Sequence, residues 1–262
     1  MNRPRILITR TRHQASELAA AVERIGAEAV LVPMIEVVPP RSFEELDAAI
    51  RLLDQPDDKL DWVVFTSANA AQALSTRARE LGALPRLKRI AVIGPATGKA
   101  VAAARLAPEI EPMLVPTEYV AESLANALLA ECGSQQRFLL VRAEEARDVI
   151  PTALEAAGHS VTIATAYRNV TPPGTLPALQ EIFADRACYP DVITFTSSST
   201  ARNLAALLAS IDLKIPHGIA LASIGPITST TLRELGYEPT FEADEPTIDS
   251  LAAAISRHLK EP

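Results

Sequence analysis

The sequence predicts an α/β protein of two lobes, each a parallel sheet of about five strands flanked by helices. Three observations predict it. Short apolar runs alternate with amphipathic stretches along all 262 residues. Several runs are nearly continuous Val, Ile and Leu, as strands covered on both faces require. And the chain states its motifs twice. Asp61–Ala71 reads DWVVFTSANAA and Asp191–Ala201 reads DVITFTSSSTA. Ile90–Thr97 (IAVIGPAT) is echoed by Leu221–Thr228 (LASIGPIT), and Ile6–Arg10 (ILITR) by Phe138–Arg142 (FLLVR). Gly26 matches Gly158, and Pro39-Pro40 matches Pro172-Pro173. The offset stays near 131 residues, half the chain, so the whole sequence is a duplication.

In order, Arg5–Thr9 and Glu28–Val32 read as strands, with a helix over Gln14–Ile25 that puts Leu18, Val22 and Ile25 on one face. Asp61–Phe65, Arg89–Ile93 and Ile110–Val115 complete the strands of the first repeat. The second repeat gives Arg137–Val141, Ser160–Ala164, Asp191–Phe195, Ile219–Ser223 and Tyr237–Phe241. Its first amphipathic stretch, Ala146–Ala157, carries Val149, Ile150 and Leu154 on one face. Pro151 lies inside it, so regular helix is expected to start there, since proline lacks the N–H that an interior turn needs.

Each Pro-Pro pair sits about forty residues into its repeat, whereas the junction between repeats, Cys132–Gln136, is short and has no proline. Proline pairs interrupt helices and central strands. If both pairs are crossovers, residues 39–172 form one inserted lobe and residues 1–38 with 173–262 form the other, with linker segments near 35–40 and 166–173. The alternative is two sequential domains split near residue 133.

Bulk composition narrows the function. Apolar residues make up 48% and charged residues 22%, an ordinary globular balance. Two cysteines, Cys132 and Cys188, imply no disulfide framework and fit a reducing cytoplasm. Neither they nor His13, His159, His217 and His258 have metal-site spacing. A net charge of −7 argues against a nucleic-acid partner, which needs a basic face, but not against a small anion held by backbone amides. The N-terminal run MNRPRILITR is too short in its apolar part to be a signal peptide or a membrane span. Glu144-Glu145 and Glu242–Glu245 read as solvated charge.

The repeated motifs carry the chemistry. Thr66, Ser67 and Asn69 follow one strand and Thr196, Ser197, Ser198 and Ser199 follow its copy, each at the start of a helix. Small polar side chains there cap the helix, and the remaining N–H groups with the helix dipole make an anion site. Capping alone is the plainer account of either copy. Gly94-Pro95 and Gly225-Pro226 end later strands, with Thr97, Thr228 and Ser229 in the first helical turn. There is no G-x-G-x-x-G or P-loop pattern, so a dinucleotide or nucleotide site is a poor reading. Arg10 and Arg142 end matched strands at the sheet edge where open α/β folds bind ligands, as carboxylate forks or as surface ion pairs. Tyr167, just before the second Pro-Pro linker, is placed either to pack or to donate a proton.

Taken in order, ILITR, DWVVFTSANA, AVIGPAT, AYRNV before a proline pair, DVITFTSSST and ASIGPITSTTLRELG resemble uroporphyrinogen-III synthase over nearly the whole chain. Thr11 stands where many members have proline, and Gly98 where alanine is commoner. The resemblance implies two α/β lobes joined by a two-stranded linker, one lobe built from both chain ends, and a cofactor-free reaction in tetrapyrrole synthesis. From the residues themselves a cytoplasmic monomer is expected, since no obvious apolar stripe demands a partner. The implied substrate is hydroxymethylbilane, a linear tetrapyrrole with eight carboxylates, and the implied product is uroporphyrinogen III with ring D inverted. The resemblance leaves room for a transient contact with hydroxymethylbilane synthase, which makes that unstable bilane. Thr66, Ser67, Asn69 and Thr97 would hold carboxylates from one lobe, and Ser197, Ser198, Thr228 and Ser229 from the other, with Arg10 and Arg142 adding charge. Tyr167 matches a tyrosine implicated in the family and would assist departure of hydroxide. The rival reading is a bilobed cytosolic binding protein for a small anion, with no chemistry.

Overall fold

In the computed structural model, residues 3–55, 60–85, 87, 89–106 and 113–260 are described. Along the chain, β1 (Arg5–Ile8), α1 (Arg12–Arg24) and β2 (Glu28–Leu31) are followed by β3 (Glu36–Val38), α2 (Glu44–Leu53), β4 (Trp62–Phe65) and α3 (Ala68–Leu81). Next come β5 (Ile90–Val92), α4 (Pro95–Ala103), α5 (Ala121–Glu131), β6 (Arg137–Ala143), α6 (Val149–Ala156) and β7 (Ser160–Val170). The remainder is α7 (Thr175–Ala184), β8 (Val192–Phe195), α8 (Ser198–Ala209), β9 (Ala220–Ser223), α9 (Pro226–Glu234), β10 (Phe241–Glu242) and α10 (Ile248–His258).

These elements form two five-stranded sheets, ordered β10-β9-β8-β1-β2 and β3-β7-β6-β4-β5. Neighbours in the first sheet pair in parallel, as do β7, β6, β4 and β5 in the second. The chain packs into two compact units: Met1–Glu36 with Val170–Pro262, here the terminal unit, and Val37–Asn169, the central unit. Each Pro-Pro pair lies just past one of the two crossings.

Strand alternation explains how each sheet is covered. In the central unit, Val63, Phe65, Leu139 and Val141 point to one face, where Leu46, Ile50 and Leu53 of α2 and Leu74 and Ala78 of α3 bury them. Trp62, Val64, Phe138 and Leu140 point to the other, under α5 and α6. In the terminal unit, Leu7, Ile193 and Phe195 meet α7, α8 and α9, while Ile6, Ile8 and Val192 meet α1 and α10. Cutting Phe65 or Phe195 to alanine removes a fully buried ring from the middle of a core, at a cost of about 3–5 kcal/mol.

Helix ends follow the duplication. Gly26 and Gly158 both have φ of 86°, and the N–H of the next residue, Ala27 or His159, donates to the carbonyl of Val22 or Leu154. That is one C-terminal cap used twice, and it needs a residue tolerant of the left-handed region.

Four expectations change. α6 starts at Val149 rather than at Pro151, because the first helical turn has no intrahelical use for the missing N–H. β7 runs on to Val170, so Tyr167 and Arg168 belong to a strand. β10 is confined to Phe241–Glu242, because Tyr237 is drawn back to cap α9, its N–H donating to Leu232 O beside Gly236 at φ 82°. Of the strand expected over Ile110–Val115, residues 110–112 lie outside the described residues, and Leu114 makes one parallel bridge to Ala91.

Candidate functional site

In the central unit, β4 delivers the chain to Ser67, whose backbone is extended and whose Oγ accepts the Ala70 N–H at 3.1 Å, capping α3. The same Oγ lies 3.0 Å from the Tyr167 hydroxyl. A bulge brings Tyr167 there. Arg142 pairs with Thr165 but Ala143 pairs with Tyr167, so β7 carries one extra residue, Ala166. Strict alternation would send Tyr167 to the opposite face from Ala164 and Ala166. Instead all three join one core cluster, and Tyr167 is 7% exposed. Its ring packs and its phenol reaches the start of α3. Thr66 and Asn69 are half-buried beside that start.

The Gly94-Pro95 turn has the expected form, with an extended glycine at the N-cap and proline at the first position of α4. What approaches the glycine is Tyr119: a Cβ at Gly94 would sit 3.2 Å from its Cγ. Tyr119 as a whole is 62% exposed. Thr97 is buried. Arg142 is held by Asp148 at 2.8 Å and donates to Arg147 O, the ion-pair outcome of the two readings.

In the terminal unit, Ser197 caps α8 in a reciprocal box with Thr200, and its Oγ is 3.0 Å from Ser199 Oγ. Ser198 accepts the Thr231 hydroxyl at 2.8 Å, tying α8 to α9. Thr228 is buried, and Ser229, 1% exposed, donates to Glu242. Glu242 is therefore bonded rather than merely solvated. So is Glu145, which accepts the Asn169 N–H, and Glu144, which faces Arg41 at 3.3 Å.

Arg10 follows β1 at the rim of a 160 Å³ cavity. Thr9, Arg10 and Thr11 form one side, Met34 and Ile35 a second, and Thr196, Ser197, Ser199, Thr200 and Asn203 a third. Burial lowers the Arg10 pKa below the usual arginine value, with Glu17 acting weakly against it. Among the described residues no ion pair holds Arg10. Two polar atoms in this wall, Thr11 Oγ1 and Asn203 Nδ2, are buried without a hydrogen-bond partner. Thus Arg10 and Ser197 are brought together, as are Ser67 and Tyr167, whereas Ser229 and Arg142 are committed to local partners. Sequence reasoning missed Asn203 and read Thr11 only as a departure from proline. Helical spacing carried a signal for Asn203, since it lies four residues after Ser199 on one face of α8.

Elsewhere in the central unit, the Gln136 N–H donates to His159 Nδ1 at 3.1 Å, which leaves Nε2–H to face Cys132 Sγ at 3.2 Å. Among the described residues no group of three or more His, Cys, Asp or Glu side chains could hold a metal ion. No described helix is long and apolar enough to cross a membrane.

A family model described as uroporphyrinogen-III synthase HemD matches residues 16–253. The chain belongs to the uroporphyrinogen-III synthase family. It is 34% identical over 263 residues to a uroporphyrinogen-III synthase of Synechococcus elongatus, covering 98% of this chain and 96% of that one. A uroporphyrinogen-III synthase of Chlorobaculum parvum is 28% identical, with 97% and 99% covered. Among solved structures, a mutant uroporphyrinogen III synthase of Thermus thermophilus superposes with a TM-score of 0.68 at 19% identity, covering 99% of this chain and all of that one. A uroporphyrinogen-III synthetase of Helicobacter pylori gives 0.55 at 16% identity, with 99% of this chain and 100% of that one covered. At these identities the two structures bear on the fold, and they share it with this member of the uroporphyrinogen-III synthase family.

Proposed function

We propose that the chain cyclises hydroxymethylbilane to uroporphyrinogen III with inversion of ring D and net loss of water. Family membership supports the reaction, and one observation supports a place for its first step: the 3.0 Å pair of Ser67 and Tyr167 at the start of α3. The reaction starts when the ring A hydroxymethyl C–O bond breaks, pushed by the pyrrole nitrogen lone pair, and hydroxide leaves with a proton as water. The substituted α-carbon of ring D attacks the resulting azafulvene and forms a spiro centre. The old bond from ring D to its methylene bridge then breaks and reforms at the other α-carbon, and loss of a proton restores the pyrrole.

In this proposal Tyr167 gives the proton to the departing hydroxide. A Ser67 O–H turned toward Tyr167 would stabilise the phenolate that develops, because Ser67 Oγ still has the Ala70 N–H as donor. The helix starts at Ser67, Asn69 and Thr66, with Thr97, and at Ser197 and Ser198, with Thr228, bind substrate carboxylates through N–H groups and hydroxyls. Ser229 and Arg142 support those turns through Glu242 and Asp148. Arg10 supplies charge. The catalytic burden is geometric: tenfold preference for the more crowded carbon needs only about 1.4 kcal/mol. The proposed working form is a cytoplasmic monomer that receives its substrate from hydroxymethylbilane synthase.

The test is to supply freshly generated hydroxymethylbilane and resolve the oxidised porphyrin isomers. Type III product at a rate proportional to enzyme is expected. Type I alone at the uncatalysed rate would overturn the reading, and bilane binding with that outcome would favour a non-catalytic binding protein.

A further inference from the structure

We propose that the 160 Å³ cavity at the ends of β1 and β8 is a subsite for a single carboxylate arm of the substrate, with Arg10 as its charge and Asn203 as its specificity-determining donor. This rests on the tetrapyrrole reading above. Size sets the occupant. Pockets for whole cofactor-sized ligands run to roughly 300–1,000 Å³, so this one takes a side arm of a larger molecule.

Chemistry sets its sign. The starts of two helices border the cavity, α1 through Thr11 and α8 through Ser197, and both present partial positive charge. Thr11 is the N-cap of α1 but spends no side-chain bond on capping, and its buried Oγ1 has no partner. Asn203 sits on the same face of α8 as Ser199 and Thr200, and a helical side chain leans toward the N-terminus, here toward the cavity. Its amide nitrogen is buried and unpartnered, so it carries a desolvation penalty that a carboxylate oxygen in the cavity would remove. Arg10 is in the same position: it is half-buried, with no ion pair among the described residues.

The duplication provides an internal contrast. By its spacing from the matched caps Ser67 and Ser197, Asn203 corresponds to Ala73, which has no donor. Arg142, the counterpart of Arg10, is neutralised by Asp148. The subsite thus belongs to the terminal unit, and it distinguishes carboxylates that the repeat alone would treat alike.

The test has two arms. In the first, ¹⁵N-labelled protein is titrated with sodium acetate, sodium propionate or inorganic phosphate, and the Asn203 side-chain amide is followed by NMR. Saturable shifts with acetate or propionate, lost in Arg10→Gln, are expected. No shift with either carboxylate, or a larger shift with phosphate, would overturn the assignment. In the second, Asn203→Leu should raise KM for hydroxymethylbilane about tenfold with kcat little changed, and Asn203→Asp should raise it further by repelling the arm. Thr11→Val, which keeps the shape, should raise KM in the same direction and serves if an Asn203 variant does not fold. Equal KM values for the Leu and Asp variants would mark Asn203 as merely structural. Failure of this subsite leaves wild-type type III synthesis intact, whereas failure of the functional reading removes that synthesis and leaves the NMR titration to decide the subsite alone.

Discussion

Replacing Tyr167 with phenylalanine separates packing from chemistry at one residue. The ring lies in the cluster with Phe65, Val141 and Ala164, and phenylalanine keeps every carbon of it. What is lost is a hydroxyl 3.0 Å from Ser67 Oγ. Ser67 retains the Ala70 N–H at 3.1 Å, so its cap survives. The stability cost is therefore that of one ordinary hydrogen bond, about 0.5–1.5 kcal/mol. For a chain of this size that lowers Tm by about 1–6 °C. Turnover should suffer more. A positioned general acid typically contributes about 10²–10⁴-fold, and departure of hydroxide from a pyrrolic carbinol is intrinsically easy, so a fall in kcat near the low end, about 10²-fold, is expected. The assay is kcat on freshly generated bilane beside a thermal melt, with the isomer ratio as a check that released product is still type III. A kcat within about twofold of wild type, with the small Tm loss present, would remove Tyr167 from the mechanism.

Ser197→Ala removes the capping box of α8 and should cost about 1 kcal/mol, read by denaturant midpoint at constant m-value. Gly158→Ala places a Cβ at φ 86° and should cost about 1–2 kcal/mol, with Gly26→Ala costing a similar amount because its cap is the same. Asp47 has its pKa lowered by its hydrogen bonds from Arg77, so this pair supports the fold above the ordinary carboxylate value of 3.8 and loses that support as pH falls through the depressed folded value. The Tm gap between wild type and Asp47→Asn should accordingly be widest near neutrality and shrink below pH 3.8; a gap independent of pH would refute this account.

The duplication made much of the architecture legible. Matched strands at Trp62–Phe65 and Val192–Phe195 are buried along their whole length, as continuous apolar runs require. Matched glycines at 26 and 158 adopt one backbone conformation because the same cap recurs. Short elements were harder to read. β3 has three residues, and β10 has two, too few for a period to show.

By itself the sequence determined the two-fold repeat, the α/β class, the Ser and Gly-Pro turns at strand ends and the family, because each is carried by neighbours in the chain. Tertiary structure alone decided which polar groups remain available. Ser229 was drawn to Glu242 and Arg142 to Asp148, while Arg10, Thr11 and Asn203 were gathered around one cavity from residues almost two hundred apart. The bulge at Ala166 put the Tyr167 ring in the core and its phenol on Ser67, a placement that no alternation pattern predicts. Hydrogen bonding and burial depend on distance in space, and a pattern along the chain fixes that distance only within an element.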